Sequence, residues 1–188
     1  MPAKLKPADL INRLYADHPQ AREVLLRHSR LVTRKALTIA RALRQRGVDV
    51  DVQFVAEAAM LHDIGMIATT APEIGCRGEQ PYLQHGIIGA RMLRERGLPR
   101  HARVCERHTG VGLTAAEIIR QQLPLPPRDL LPETLEEQII CYADLFYSKD
   151  PDRIGVEKSA EQIRRQLARY GADKPAVFDR WHRQFEAA

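Results

Sequence analysis

Phe54-Val55-Ala56-Glu57-Ala58-Ala59-Met60-Leu61-His62-Asp63-Ile64-Gly65 is an apolar helical run that ends with an imidazole and a carboxylate side by side. A charge taken out of water is costly unless it meets a counter-charge or a metal, so the His62-Asp63 pair marks a place where polar chemistry is wanted inside a core. Asp51 is the expected N-cap of this helix, and Gly65 is the expected left-handed residue at its C-terminal end.

Upstream, a long helix is predicted over residues 20–46, with Val24, Leu25, His28, Leu31, Val32, Ile39 and Leu43 at helical spacing and Gly47 as its stop. A short helix from Pro7 through Leu10, Ile11 and Leu14 precedes it and ends near His18-Pro19. Downstream, residues 67–81 read as irregular. A helix over 82–96 carries His85, Ile88 and Met92 on one face, and another from Pro99 carries Val104, Cys105 and His108. Gly110 and Gly112 break that helix, Thr114 caps a short one, and the proline-rich stretch 124–132 is a loop. Residues 133–147 align Ile140, Cys141 and Asp144. Ser159 with Gln162 is a capping-box pattern for a helix to Tyr170, and Asp173 opens the last helix. Runs alternating apolar and polar residues are nearly absent, so the expected fold class is all-α, a compact multi-helix bundle. With 188 residues and 44% hydrophobic content, one core is expected, with residues 1–150 as the main domain and helices of 151–188 packed on it.

A lone histidine on an apolar helix face is ordinarily a hydrogen-bonded core residue. Here His28, His85, His108 and Asp144 each fall on the inward face of a separate helical segment, beside the His62-Asp63 pair that ends another. Burying four imidazoles and two carboxylates in one core carries a heavy desolvation cost unless a cation compensates. Nitrogen and oxygen ligands without thiolates suit Mn, Fe, Co, Ni or Zn. Two such ions sharing a carboxylate would acidify a water and polarise a phosphoryl oxygen.

At these residues the chain resembles the HD superfamily of metal-dependent phosphohydrolases, in its HDIG subset. The family order of His, His-Asp, two further His and a distant Asp is met by His28, His62-Asp63, His85, His108 and Asp144, across residues 20–150. The resemblance implies one divalent metal at His28, His62, Asp63 and Asp144, and a second at His85 and His108 with Asp63 as the bridge. It also implies hydrolysis of a phosphate ester or anhydride, of a nucleotide or dinucleotide, by a metal-bridging hydroxide associated with Asp63. The stretch His108-Thr109-Gly110-Val111-Gly112-Leu113-Thr114 departs from the paired histidines and longer signature of the cyclic-di-GMP phosphodiesterase branch. Two other readings stay open: a mixed-valent di-iron oxygenase built on the same ligands, and a non-catalytic metal-stabilised module that senses a ligand.

Arg77, Lys149 and His101 are candidate substrate contacts: Arg77 on the loop between ligand segments, Lys149 one turn past Asp144, and His101 two turns before His108 on the same face. Gly86 and Gly89 are expected to let helices approach closely. The net charge of +5 rests on arginines that outnumber lysines 23 to 6, but without a basic cluster interleaved with aromatics they read as solvated helix faces. The expected partner is therefore a small phosphorylated ligand and not nucleic acid or a membrane. Cys76, Cys105 and Cys141 are odd in number, widely spaced and without a C-x-x-C pair, which suggests neither a disulfide framework nor a cysteine zinc site. With no apolar leader-like segment at the start and no membrane-spanning run, the expected location is the cytoplasm.

Overall fold

The structure, a computed structural model, describes residues 5–186. The described residues include nine α-helices: α1 (Pro7–Leu14), α2 (Pro19–Gln45), α3 (Val52–Leu61), α4 (His85–Arg94), α5 (Pro99–Arg107), α6 (Ala115–Arg120), α7 (Leu135–Leu145), α8 (Ala160–Ala168) and α9 (Lys174–Glu186). Local signals set many of the boundaries. Asp51 accepts a hydrogen bond from the Phe54 amide at 2.9 Å, and Thr114 with Glu117, Thr134 with Glu137 and Ser159 with Gln162 each close a full capping box. Each of these satisfies backbone donors that a helix start leaves without partners.

The all-α expectation holds, with one small addition between α3 and α4. There the chain forms 3-10 turns at Ile64–Ala68, Pro72–Ile74 and Tyr82–Gln84 and a two-stranded antiparallel ribbon, β1 (Thr70–Ala71) with β2 (Cys76–Arg77), pairing Thr70 with Arg77 and Ala71 with Cys76. The helix expected over 82–96 thus begins as a 3-10 turn and becomes α-helical only at His85.

Gly65 departs from expectation. It is absent from the left-handed residues, which include Gly47, Gly75 and Gly97, and sits inside the 3-10 turn that follows Asp63. Its hydrogen side chain serves proximity: a Cβ there would collide with the His85 carbonyl and the Gly89 amide of α4. Gly86 acts the same way against the Cys105 carbonyl of α5, as the sequence led us to expect.

Two apolar clusters flank the polar centre. One joins the C-terminal half of α2 to α3, α7, α8 and α9, and the other joins α1, the N-terminal half of α2, the 64–77 region, α4 and α5. His28 lies on α2 between Leu25 of one cluster and Val32 of the other. The C-terminal helices pack on α7 through aromatic rings, with Tyr142 centred 5.6 Å from Phe178 and 5.2 Å from Phe185. Cys76, Cys105 and Cys141 are buried free thiols. Among the described residues, no helix is long and apolar enough to cross a membrane.

Candidate metal centre

Three of the four histidines are oriented by the same local device. The Nδ1 atoms of His62, His85 and His108 lie 2.7 Å from the carbonyls of Ala59, Tyr82 and Cys105, each three residues earlier. A carbonyl only accepts, so each Nδ1 carries a proton and each Nε2 faces inward, where it could coordinate an ion. Backbone support of this kind fixes tautomer and ring orientation in metal-ligating histidines. The positions follow from the helices: His62 and His108 cap the C-termini of α3 and α5, and His85 opens α4 after the 3-10 turn. The turn that follows Asp63 is held by Tyr15 of α1, whose hydroxyl donates to the Ile64 carbonyl at 2.7 Å and accepts from the Ile67 amide at 3.1 Å.

The inward nitrogens converge on Asp63. Its Oδ2 lies 2.9 Å from His62 Nε2 and 3.2 Å from His28 Nε2, while its Oδ1 lies 3.2 Å from His85 Nε2 and 3.3 Å from His108 Nε2. Asp144 Oδ1 lies 2.9 Å from His28 and 3.4 Å from His62. One carboxylate therefore faces two sets of ligands, one oxygen to each. In each set, His28-His62-Asp63-Asp144 and Asp63-His85-His108, the offered atoms lie within 4.8 Å of one another.

The donor set fits a cation on physical grounds. Both Asp63 oxygens are buried, and despite the nearby nitrogens neither accepts a hydrogen bond in proper geometry. His85 and His108 bring their Nε2 atoms to 3.0 Å, and His28 and His62 bring theirs to 3.3 Å, approaches that between lone pairs require a proton or cation. Burial alone would raise the Asp63 carboxyl, but the charges of His62 and Lys149 hold it well below the usual range. Burial would likewise lower His62, yet Asp63 and Asp144 push it up to about 10, so a proton on its Nε2 is what a bound cation would displace. Burial does lower His108, which favours the neutral ring.

The candidate substrate contacts divide. Lys149 reaches the centre, with its Nζ 2.7 Å from Asp63 Oδ2. Asp63 and Asp144 outweigh its burial and keep it charged. His101 does not reach the centre. Its Nε2 is 3.3 Å from Glu57 and its ring is edge-on to Phe54, because seven residues of helix carry it about 10 Å along the axis from His108. Arg77 sits exposed on β2, outside the cavity that adjoins the cluster.

That cavity, about 400 Å³, opens from His85, His108 and Asp144 toward α8. Tyr82, Lys158 and Tyr170 line it and were not singled out from the sequence. Tyr82, stacked on His85 with centroids 4.8 Å apart, was legible as the residue three before that histidine. Lys158 and Tyr170 carried no local signal.

An all-α core with His-Asp ligands on separate helices defines a class, and the chain belongs to the HD domain family, which it matches over residues 25–148. An uncharacterized protein of Methanocaldococcus jannaschii is 35% identical over 158 residues, covering 82% of both chains. Two proteins named tRNA (cytidine(56)-2'-O)-methyltransferase are also similar: one of Picrophilus torridus at 35% identity over 69% of this chain and 33% of its own length, and one of Thermoplasma volcanium at 29% over 83% and 41%. No solved structure gives a significant match.

Proposed function

We propose that this protein is a metal-dependent phosphohydrolase with two divalent ions, held by His28, His62, Asp63 and Asp144 on one side and by Asp63, His85 and His108 on the other. The observation that carries the reading is the division of the Asp63 carboxylate, one oxygen toward each ligand set. Ions bound there supply Lewis acidity for a phosphoryl oxygen and a water of lowered pKa.

The chain's own groups complete the chemistry. Lys149 stays protonated beside two carboxylates, so it serves as a fixed positive charge for a phosphoryl oxygen and not as a base. Burial pushes the Tyr82 phenol up to about 12, which keeps it neutral and able to donate a hydrogen bond into the cavity. The adjoining space admits an organic group beyond the phosphate. The two relatives named as tRNA methyltransferases support a substrate that contains a ribonucleotide.

The test is hydrolysis of bis(p-nitrophenyl) phosphate and p-nitrophenyl phosphate by metal-stripped protein reloaded with Mn, with Asp63→Ala as control. Anaerobic turnover that needs metal and disappears in the variant is the expected result. Silence from fully metallated protein, combined with iron-dependent O2 consumption, would favour the oxygenase chemistry that the same ligand set permits.

A further inference from the structure

The HD match ends at residue 148, yet the cavity beside the metal centre is closed by residues beyond that point: Lys149 and Lys158, Gln166 and Leu167 of α8, Tyr170 just after α8, and Lys174 of α9. The volume of about 400 Å³ is in the range of small-molecule sites and far exceeds a phosphate group.

The three lining lysines are not equivalent. Lys149 is paired with Asp63 at 2.7 Å. Lys174 is paired with Glu117 at 2.6 Å and donates to the Gly112 carbonyl at 3.0 Å. Lys158 donates to the Leu145 carbonyl at 3.1 Å, one residue past Asp144, and has no carboxylate partner among the described residues. Burial pushes its ammonium below the ordinary lysine range despite the pull of Asp144. A half-buried cation facing a cavity without a counter-ion gains most from an anion brought in by a ligand.

The apolar part of the lining has another character. Leu113, Leu123 and Leu167 are apolar, and Tyr170, a residue 59% exposed, adds an aromatic ring. A ring or aliphatic body would bury apolar surface there.

We propose that Lys158 and the α8 wall select the substrate: Lys158 takes a phosphate oxygen of an organic phosphate, and Leu167 and Tyr170 receive its apolar or aromatic body. This rests on the phosphohydrolase reading and assigns substrate choice to a segment outside the HD match.

The experiment titrates full-length, Mn-loaded protein calorimetrically with phenylphosphonate and methylphosphonate, whose P–C bonds resist hydrolysis. Phenylphosphonate is expected to bind about tenfold tighter, since only it has a ring to bury. Lys158→Met should weaken both by about tenfold and leave their ratio unchanged, as expected for a lost charge-assisted contact to the shared phosphonate. Tyr170→Ser, at an exposed position that tolerates change, should weaken phenylphosphonate alone by about threefold. Helical content and metal loading are measured on each variant, and if Lys158→Met misfolds, Tyr170→Ser carries the test. Equal affinity for the two probes, no binding of either, or variants indistinguishable from the parent would overturn the proposal. Turnover of p-nitrophenyl phosphate is measured on the same preparations. Selective binding without turnover would count against the hydrolase reading and leave only the binding contacts of Lys158 and Tyr170 standing, and turnover without selectivity would overturn those contacts and leave the hydrolase reading intact.

Discussion

Lys149 Nζ stands 2.7 Å from Asp63 Oδ2, on the same oxygen that faces His28 and His62. The ammonium and a divalent ion therefore compete for one anionic centre. Each stabilises Asp63, and each repels the other.

Lys149→Met should accordingly separate metal affinity from catalysis. Removing a nearby like charge is expected to tighten Mn binding by about tenfold, while loss of a phosphate-facing cation lowers kcat/KM by about a hundredfold. Metal titration and steady-state kinetics on one preparation check this. A variant with weaker metal binding would show that Lys149 supports the ligands and does not compete with the ion.

His85 and His108 face only the Oδ1 side of Asp63. Replacing both with alanine should halve the metal bound per chain, measured by elemental analysis after dialysis, and leave the His28-His62-Asp63-Asp144 set occupied. Unchanged stoichiometry would reject the division of ligands between two ions.

Gly65→Ala places a methyl group against the His85 carbonyl and the Gly89 amide. Backbone, not flexible side chain, lies in the way, so the turn after Asp63 and α4 must separate. The expected cost is about 2–3 kcal/mol of stability, with weakened metal binding because the shift moves Asp63 relative to His85. Thermal unfolding with and without Mn measures both effects.

Glu117 and Lys174 form a pair whose side chains are 8% and 6% exposed. Burial would raise the Glu117 carboxyl, but Lys174 and the Thr114 amide hold it below the ordinary value. A carboxyl depressed in the folded state contributes stability above its unfolded pKa of about 4.3 and loses it as pH falls through the lower folded value. Glu117→Gln should therefore cost about 2 kcal/mol at neutral pH, and the gap between parent and variant should narrow below about pH 4.3. A gap independent of pH would show that the charge is not what matters.

Removing residues 151–188 would strip Phe178, Trp181 and Phe185 from Tyr142 and Phe146. The shortened chain is expected to aggregate or associate, as seen by light scattering. A monomeric, fully metallated truncation would show that the packing of α8 and α9 is dispensable.

The amino-acid sequence by itself determined the helices, where they begin and the identity of the six polar residues on their inward faces. Caps such as Asp51 and Ser159 and the 3.6-residue periodicity act within a turn or two, so they can be read without knowing what lies across the core. Only the tertiary structure decided which polar side chains meet. His101 shares a helix face with His108 but is carried toward Glu57 by the helical rise. Gly65 carries the signature of a helix stop, yet it is required by a helix that begins twenty residues later. Lys158 and Tyr170 line the same cavity as His85 because α8 folds back across the molecule. Such meetings depend on contacts far apart in the chain, and no local pattern of residues encodes them.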